Sequence, residues 1–290
     1  MAQAQALKSR IKSVKSTKQV TKAMQLVSAS KMRRALSNEK ASAPYAKTAN
    51  DLLTHLVAKE GTKNHPLFKT RPVKNRLLIV IASDRGLAGA YNSNINKLYV
   101  NNLISDGKQN IGNKTIAIGR RPAQFATKLE DSNVIGVYEN LADQPTGREL
   151  HSVLDEARDL FLSGEVDAVD IIYTKFISTL VQEPSVLRIF PAGFDKSKKV
   201  SRGISDAKYE PSQREVLDVI AYRLVGSQLY QAILDSKASE YSQRMVAMKA
   251  ATDNASDLID DLTLVMNKAR QAAVTQELSE ISGGVEALNS

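Results

Sequence analysis

Apolar and small residues recur at alternating spacings of three and four over the last third of the chain, from Leu217 to Ala273. The full series is Leu217, Ile220, Leu224, Ser227, Gln231, Leu234, Ala238, Tyr241, Met245, Met248, Thr252, Ala255, Ile259, Leu262, Met266, Ala269 and Ala273. An average spacing of 3.5 residues on an α-helix predicts a left-handed supercoil with a partner helix.

The limits of this helix are also marked in the sequence. Pro211 and Ser212 followed by Glu215 form a helix start pattern, and no proline occurs after them. A helix from Ser212 to the glycine pair 283–284 would be roughly 100 Å long. Since that exceeds an ordinary globular domain, we expect the helix to project.

The partner helix is predicted at the other end of the same chain. Residues 1–43 contain neither glycine nor proline, so we expect a long helix from near Ala2 to a break at Pro44, resuming through residues 52–57. Its apolar series is Leu7, Ile11 and Val14, shifting to Val20, Met24 and Val27, before Met32 and Leu36. The stripe is interrupted by Lys18, Thr21, Gln25 and Ser28, which we expect to be free to face other chains.

Positive charge is concentrated at the N-terminus. Residues 1–40 hold ten basic residues and one acid, Glu39, which gives +9 and equals the net charge of the whole chain of 290 residues. A helix of this kind can neutralise nucleic-acid phosphates or anionic lipid, face acidic protein surfaces, or simply be solvated.

Strands alternating with helices between the two long helices predict a compact α/β domain with a mostly parallel sheet. The predicted strands are 76–83, 114–119, 134–138 and 168–173, and a final strand, 185–190, is expected to follow residues 176–182 as a hairpin. The predicted helices are 93–105, 122–129 and 146–163, and the polar segment 195–209 is expected to be a loop. The predicted fold class is therefore α/β, a long antiparallel two-helix coiled coil around a small central domain. The domain limits are 1–60, 75–195 and 211–288.

A search for catalytic and cofactor sites finds none. The loop 83–92 (SDRGLAGAYN) lies where α/β domains bind ligands, yet it lacks the lysine and hydroxyl of a P-loop and the glycine spacing of a dinucleotide fingerprint. Its glycines favour a tight turn. The chain has no cysteine, and the spacing of His55, His65 and His151 suits no metal site. We therefore expect no active site, no cofactor and no metal. The longest apolar run, Leu77–Ala82, is far too short to cross a bilayer.

Three segments carry a resemblance to a known family. They are IKSVKSTKQVTKAMQLVSASKMRRA at 11–35, SDRGLAGAYN at 83–92, and the run from Ser239 to Leu288. These segments, and the order helix, α/β domain, helix, resemble the gamma-subunit family of F-type ATP synthases from end to end. One departure from the family pattern is Ala88, where many relatives have cysteine. Because the chain lacks a cysteine-bearing insertion before the last helix, it resembles the bacterial form.

The resemblance implies a non-catalytic rotor subunit of the proton-transporting two-sector ATPase. In such a complex the two helices form a shaft inside a ring of three alpha and three beta subunits, and the α/β domain stands on the c-subunit ring beside epsilon, with delta also present. The implied location is the cytoplasmic face of the bacterial plasma membrane, with membrane association only through the complex.

The resemblance also implies particular contact residues. Met24 and Lys22 match positions at the level of an acidic beta loop, and Arg244 matches their companion on the returning helix. Arg270, Gln271, Thr275 and Glu277 match polar positions that contact the ring near the tip of the shaft, and Tyr209 and Glu210 match the foot on the c ring. For each residue the alternative is helix solvation or packing within the shaft.

Two other functions fit parts of the pattern. A coiled-coil module that binds nucleic acid through the basic helix would show steep salt dependence. An α/β enzyme with a helical tether would show turnover by the isolated chain.

Overall fold

The structure, a computed structural model, describes residues 2–60, 65–143, 147–192, 210 and 213–288. The helices are α1 (Ala2–Glu60), α2 (Tyr91–Lys108), α3 (Arg120–Ala126), α4 (Gly147–Ser163) and α5 (Gln213–Leu288), with a 3₁₀ turn at Pro66–Phe68. The strands are β1 (Asn75–Ile81), β2 (Gly112–Ile118), β3 (Val134–Tyr138), β4 (Ala168–Phe176) and β5 (Gln182–Phe190). The chain divides into two compact units, residues 1–28 with 244–290, and residues 29–243, so each long helix contributes to both.

The second unit is built on a five-stranded sheet in the order β3-β2-β1-β4-β5. Every pairing is parallel except β4 with β5, which form an antiparallel hairpin. The mostly parallel sheet and the hairpin were both predicted. Pro184 lies in β5 at the edge of the sheet, where a missing backbone N–H does not interrupt a central ladder.

Strand β1 is buried on both faces because it is the central strand. Leu77 and Ile79 belong to the larger core, beneath α4 and the first part of α5, whereas Leu78 and Val80 belong to the smaller core beneath α2. Burial on both faces explains why this strand is a continuous apolar run rather than an alternating one.

Helices α4 and α5 cover one face of the sheet together. Their core residues follow helical spacing and include Val153, Leu154, Ala157 and Phe161 on α4, and Ala221, Leu224, Val225, Leu229, Ala232 and Ile233 on α5. A Cβ added at Gly226 would lie 3.3 Å from a methyl group of Leu154, so the glycine allows the two helices to approach closely.

The break predicted at Pro44 is wrong, and both long helices continue through residues that commonly interrupt a helix. Helix α1 passes through Pro44 as one element, and the Thr48 hydroxyl donates to the Pro44 carbonyl at 3.0 Å. Helix α5 runs through the glycine pair 283–284 to Leu288. A proline or glycine weakens a helix without necessarily ending it, since the neighbouring turns keep their hydrogen bonds.

Smaller differences from the predicted limits have tertiary causes. Helix α3 begins at Arg120 rather than 122, because the Asp84 carboxylate accepts from the Arg120 backbone N–H at 3.0 Å. Strands β4 and β5 are longer than predicted because their ladder extends to the pair Phe176 and Gln182. The predicted loop 195–209 and the start pattern at 211–212 lie outside the described residues. Since the two compact units divide each long helix, the three predicted domain ranges remain a prediction.

Candidate interaction surface of the helical pair

Residues 2–28 of α1 and 244–288 of α5, called the helical pair below, show burial with the predicted period. On α5 all nine predicted positions from Met245 to Ala273 are buried or half-buried. On α1 the buried or half-buried positions include Leu7, Ile11, Val14, Lys18, Thr21, Gln25 and Ser28. Both helices therefore present a seam with alternating steps of three and four, as in a left-handed coiled coil.

The seam on α1 corrects two predictions. Val20 and Val27 are 58% and 55% exposed, so the predicted shift of the apolar stripe is wrong. Thr21 and Ser28 are buried within the chain, so they are not free to face other chains. The buried seam continues through these polar residues because a serine or threonine hydroxyl can donate a hydrogen bond to a carbonyl on its own helix. Ser28 donates to the Met24 carbonyl at 2.7 Å.

A pair of threonines joins the two helices at the centre of this seam. The hydroxyl oxygens of Thr21 and Thr252 lie 2.8 Å apart, and both side chains are buried. Each hydroxyl also has a carbonyl acceptor on its own helix, that of Lys18 at 3.0 Å and that of Met248 at 2.8 Å. With three possible bonds for two protons, no hydroxyl proton is left without an acceptor. A buried polar pair of this kind specifies register.

The threonine pair and the burial pattern together define an antiparallel arrangement. With equal rise on both helices, Thr21 opposite Thr252 places Ile11 level with Leu262, and Ala2 level with Gln271. Both Ile11 and Leu262 are buried. Beyond that level no described residue of α1 lies opposite α5, and the described side chains of α5 at 274–276, 278, 279, 281 and 282 are all exposed.

The outward surface of the helical pair is both apolar and basic. The exposed large apolar residues are Val20, Leu26, Val27, Val246, Leu258, Leu264, Val265, Val274, Leu278 and Ile281. Within residues 2–28 of α1 the exposed basic residues are Lys8, Arg10, Lys12, Lys15 and Lys22. Large apolar side chains exposed on both helices are candidates for contact with another protein. The sequence did not reveal this exposed apolar surface. On α1, continuing the 3.5-residue period through Lys18 and Thr21 would have placed Val20 and Val27 outside the seam.

The predicted contact residues differ in their exposure. Lys22 is exposed and donates to the Gln25 side chain at 3.3 Å, and Met24 is half-buried. Arg270, Gln271 and Thr275 are exposed, and the Thr275 hydroxyl donates to the Gln271 carbonyl at 3.0 Å.

The four remaining predicted residues give less structural support for a contact with another protein. Arg244 is only 7% exposed, so it already packs within the chain and presents little surface to another protein. Glu210 is exposed, whereas Tyr209 and the side chain of Glu277 lie outside the described residues. Their roles stay predictions.

The loop after β1, predicted to be a tight turn, is closed by its own hydrogen bonds. The Ser83 hydroxyl is within hydrogen-bonding distance of both the Arg85 carbonyl at 2.7 Å and Asn92 Oδ1 at 2.9 Å. The Asp84 carboxylate accepts from the backbone N–H groups of Arg120 and Asn140. These contacts use the polar groups that would otherwise face a ligand.

Helix α5 packs against the carboxyl ends of β1 and β2. The carboxyl ends of β1 and β2 face Ile233, Ser236, Lys237 and Glu240 of α5, and the space between them is about 10 Å³, enough for roughly one water molecule. A nucleotide has no room there.

A groove of about 790 Å³ in the second unit lies between the 3₁₀ turn, α4 and the start of α5. Its two histidines are held by neighbours: His65 Nε2 lies 2.6 Å from Asp218, and His151 Nδ1 lies 2.9 Å from the Tyr222 hydroxyl.

Over the described residues, no cluster of His, Asp and Glu side chains is arranged to hold a metal ion. The same part of the chain contains no helix apolar enough over sufficient length to cross a bilayer.

Comparison with known proteins decides the family. The ATP synthase family model matches residues 3–288. The chain is 39% identical to the ATP synthase gamma chain of Staphylococcus epidermidis over 99% of its own length and all of the relative's. It is 40% identical to that of Staphylococcus carnosus over 97% of each chain. The chain belongs to the ATP synthase gamma chain family.

Solved structures agree with this family at the level of the fold. A chain of the Euglena gracilis mitochondrial ATP synthase, solved with OSCP, F1 and the c ring, superposes with a TM-score of 0.68 at 15% identity. The alignment covers 99% of this chain and 95% of that one. A chain of the Tetrahymena thermophila central stalk and c ring gives a TM-score of 0.61 at 22% identity, over 80% and 99% of the two chains. The bacterial resemblance, the fold class and the gamma-chain family predicted from the sequence are therefore confirmed.

Proposed function

We propose that the chain is the central rotor shaft of an F-type ATP synthase, a non-catalytic subunit that couples proton flow through the c ring to ATP synthesis and hydrolysis on the beta subunits. The observation that carries this proposal is the helical pair, which buries a seam with a threonine pair at its centre while exposing large apolar side chains. Membership of the gamma chain family supports the same function.

The packing of the helical pair suits a shaft. Two helices with interlocking seams resist bending and twisting better than one helix, because bending must slide packed side chains past each other. The Thr21 and Thr252 hydroxyls oppose such sliding at one level, since their 2.8 Å contact is lost when the register moves.

A pair of helices has no threefold symmetry, and this is the source of its proposed action. Inside a ring of three alpha and three beta subunits, such a shaft touches each beta subunit differently. The three nucleotide sites then differ in affinity, and rotation of the shaft exchanges them.

The basic and apolar surface is proposed to form the bearing. Exposed lysines on α1 would face acidic loops of beta through many weak contacts, which suit a sliding surface better than a few strong ones. We place Lys22 and Met24 at this bearing, and Arg270, Gln271, Thr275 and Glu277 nearer the tip. Arg244, being buried, would position its neighbours rather than meet beta broadly. Tyr209 and Glu210 are proposed for the foot.

The remaining partners follow from the same proposal. The epsilon subunit and the c ring would meet the α/β domain, and delta completes the complex. The chain would be peripheral, held at the cytoplasmic face of the bacterial plasma membrane by the complex alone. Nucleic-acid binding by the basic helix has no support, since an apolar surface interleaved with the lysines suits protein partners.

The direct test replaces the gamma chain of a bacterial ATP synthase with this chain. Because the chain has no cysteine, Lys108→Cys on α2 offers one attachment point for a bead. We expect the complex to assemble and the bead to rotate when ATP is added. A complex that assembles and hydrolyses ATP without bead rotation would contradict the rotor function, and a complex without the chain serves as control.

A further inference from the structure

One carboxylate in the loop after β3 contacts both long helices. The Lys31 Nζ of α1 lies 2.9 Å from Asp143 Oδ2, and the Tyr241 hydroxyl of α5 donates to Asp143 Oδ1. The Lys31 ammonium also lies 5.3 Å from the centroid of the Tyr241 ring. These three residues, called the clasp below, all belong to the second compact unit.

The ion pair of the clasp lies at the surface. The side chains of Lys31 and Asp143 are 41% and 43% exposed, so solvent screens the attraction between them. Burial alone would raise the pKa of Asp143, but the hydrogen bond from Tyr241 and the contact with Lys31 outweigh it and lower the pKa. The carboxylate is therefore ionised at neutral pH and keeps an acceptor oxygen for each helix.

The same loop has a second attachment to α5. Lys237 Nζ donates to the Leu141 carbonyl at 3.4 Å. Lys237 and Tyr241 are four residues apart and lie on one face of the helix, so both reach the loop from the same side.

On the sheet side, α5 is attached by a series of buried serines. Strand β4 continues beyond Ile172, where its pairing with β1 ends, and α5 supplies partners for Thr174. The Ser236 hydroxyl oxygen accepts from the Thr174 N–H, and the Ser239 hydroxyl donates to the Thr174 carbonyl, both at 3.3 Å. The Ser242 hydroxyl donates to the Thr179 carbonyl at 2.7 Å. These serines hold α5 alone, whereas the clasp holds α5 and α1 to one point of the domain.

We propose that the clasp of Lys31, Asp143 and Tyr241 makes the α/β domain and both long helices turn as one body. This inference rests on the proposed rotor function. A torque on the domain reaches α5 through its packing on the sheet, the serines and the clasp, whereas Asp143 joins both helices to the domain at one point. Asp143 is thus a positioning residue for rotary coupling.

The test measures torsional stiffness in the assembled complex, from the angular fluctuations of a bead on Lys108→Cys. The variants are Asp143→Ala, Asp143→Glu and Tyr241→Phe. The matched control is Asp159→Ala, which breaks an exposed pair with Arg158 elsewhere in the same unit. Since α5 keeps its packing on the sheet and its serine contacts, Asp143→Ala and Tyr241→Phe are expected to lower the stiffness only in part, and below that of Asp159→Ala. Protons pumped per ATP should also fall under load, while unloaded ATP hydrolysis stays near the unmodified rate.

Each outcome distinguishes the clasp from the rotor function. Partial recovery in Asp143→Glu and unchanged stiffness in Asp159→Ala would support the clasp. Unmodified stiffness and pumping in assembled Asp143→Ala and Tyr241→Phe complexes would overturn it and leave the rotor function intact. Failure of both variants to assemble would also overturn it, since the contact would then serve folding only. If the unmodified chain supports no rotation, the rotor function itself fails.

Discussion

At the scale of single residues, the polar groups of the long helices are placed by what they can bond to rather than by polarity alone. Thr21 and Ser28 occupy the seam because their hydroxyls reach acceptors on their own helix. Val20 and Val27 are apolar but lie on the exposed surface of α1, where we propose that another protein covers them.

Asp235 is a buried acid on α5 whose pKa is raised to about 7, because burial disfavours its charge and Glu39 adds repulsion. Lys175 and a hydrogen bond from Gln231 act in the opposite direction. In the unfolded chain the carboxyl ionises near its ordinary value of about 4. The folded chain therefore holds an extra proton between about pH 4 and pH 7, and its stability falls as pH rises through that window.

Asp235→Asn should remove this dependence. At pH 8 we expect the variant to be more stable than the unmodified chain by about 1–3 kcal/mol, because no buried charge has to be accommodated. At pH 4 the two should be nearly equal. Thermal unfolding at both pH values measures the difference, with Asp257→Asn at an exposed position of α5 as control. An equal change in both variants would mean that Asp235 is ionised without cost.

Met24→Lys tests the proposed bearing. The substitution adds a cation beside an already basic surface, so we expect it to impair coupling more than assembly. The measurement is protons pumped per ATP hydrolysed in membrane vesicles. Gln19→Lys adds the same charge at an exposed position of α1 and should have the smaller effect. An unchanged ratio in Met24→Lys would remove Met24 from the contact with beta.

At the scale of elements, the helical pair depends on its seam more than on the propensity of either helix. Leu262 is buried and Met266 half-buried on α5. Ser256 and Thr263, which the sequence places off the seam, are half-buried and flank it. Asn254 and Asn267 are exposed, which makes them better positions for a control.

Replacing both Leu262 and Met266 with Asp should separate the helices near the N-terminus of α1. A charge at the buried position 262 and a second charge at the half-buried position 266 would have no partners. Placing them there costs several kcal/mol of stability, about 3 or more. We expect loss of coupled ATP synthesis in reconstituted vesicles, with assembly measured alongside. Asn254→Asp with Asn267→Asp adds the same charges outside the seam and should be tolerated. Similar behaviour of the two pairs would show that the 3.5-residue series is not the packing interface.

At the scale of the whole molecule, one helix serves two purposes. Helix α5 covers the sheet with Ile233 and its neighbours, and its continuation forms the helical pair. In covering the sheet it also packs against the carboxyl ends of β1 and β2.

The purified chain is predicted not to bind ATP, because its sequence contains no phosphate-binding loop. The space at the carboxyl ends of β1 and β2, about 10 Å³, also cannot admit a nucleotide. Calorimetric titration with ATP should give no saturable heat, while the isolated beta subunit of an ATP synthase serves as the positive control. Saturable binding in the micromolar range would contradict the prediction.

The sequence by itself determined the periodic features. The 3.5-residue series predicted the seam of α5 from Met245 to Ala273. Two long helices stay in contact along their length only if the side chains between them repeat with that period. The continuous apolar run of β1 likewise determined a central parallel strand, since both of its faces are buried. The sequence segments 11–35, 83–92 and 239–288 were specific enough to indicate the family.

Only the tertiary structure decided which polar residues lie inside. The burial of Thr21 follows from its contact with Thr252, 231 positions away, and the clasp joins Lys31, Asp143 and Tyr241 from three separate segments. Helix limits at Pro44 and the glycine pair were decided in the same way, because neighbouring turns and packing outweigh the preference of single residues. Such contacts depend on distances between remote parts of the chain, which no local pattern of spacing records.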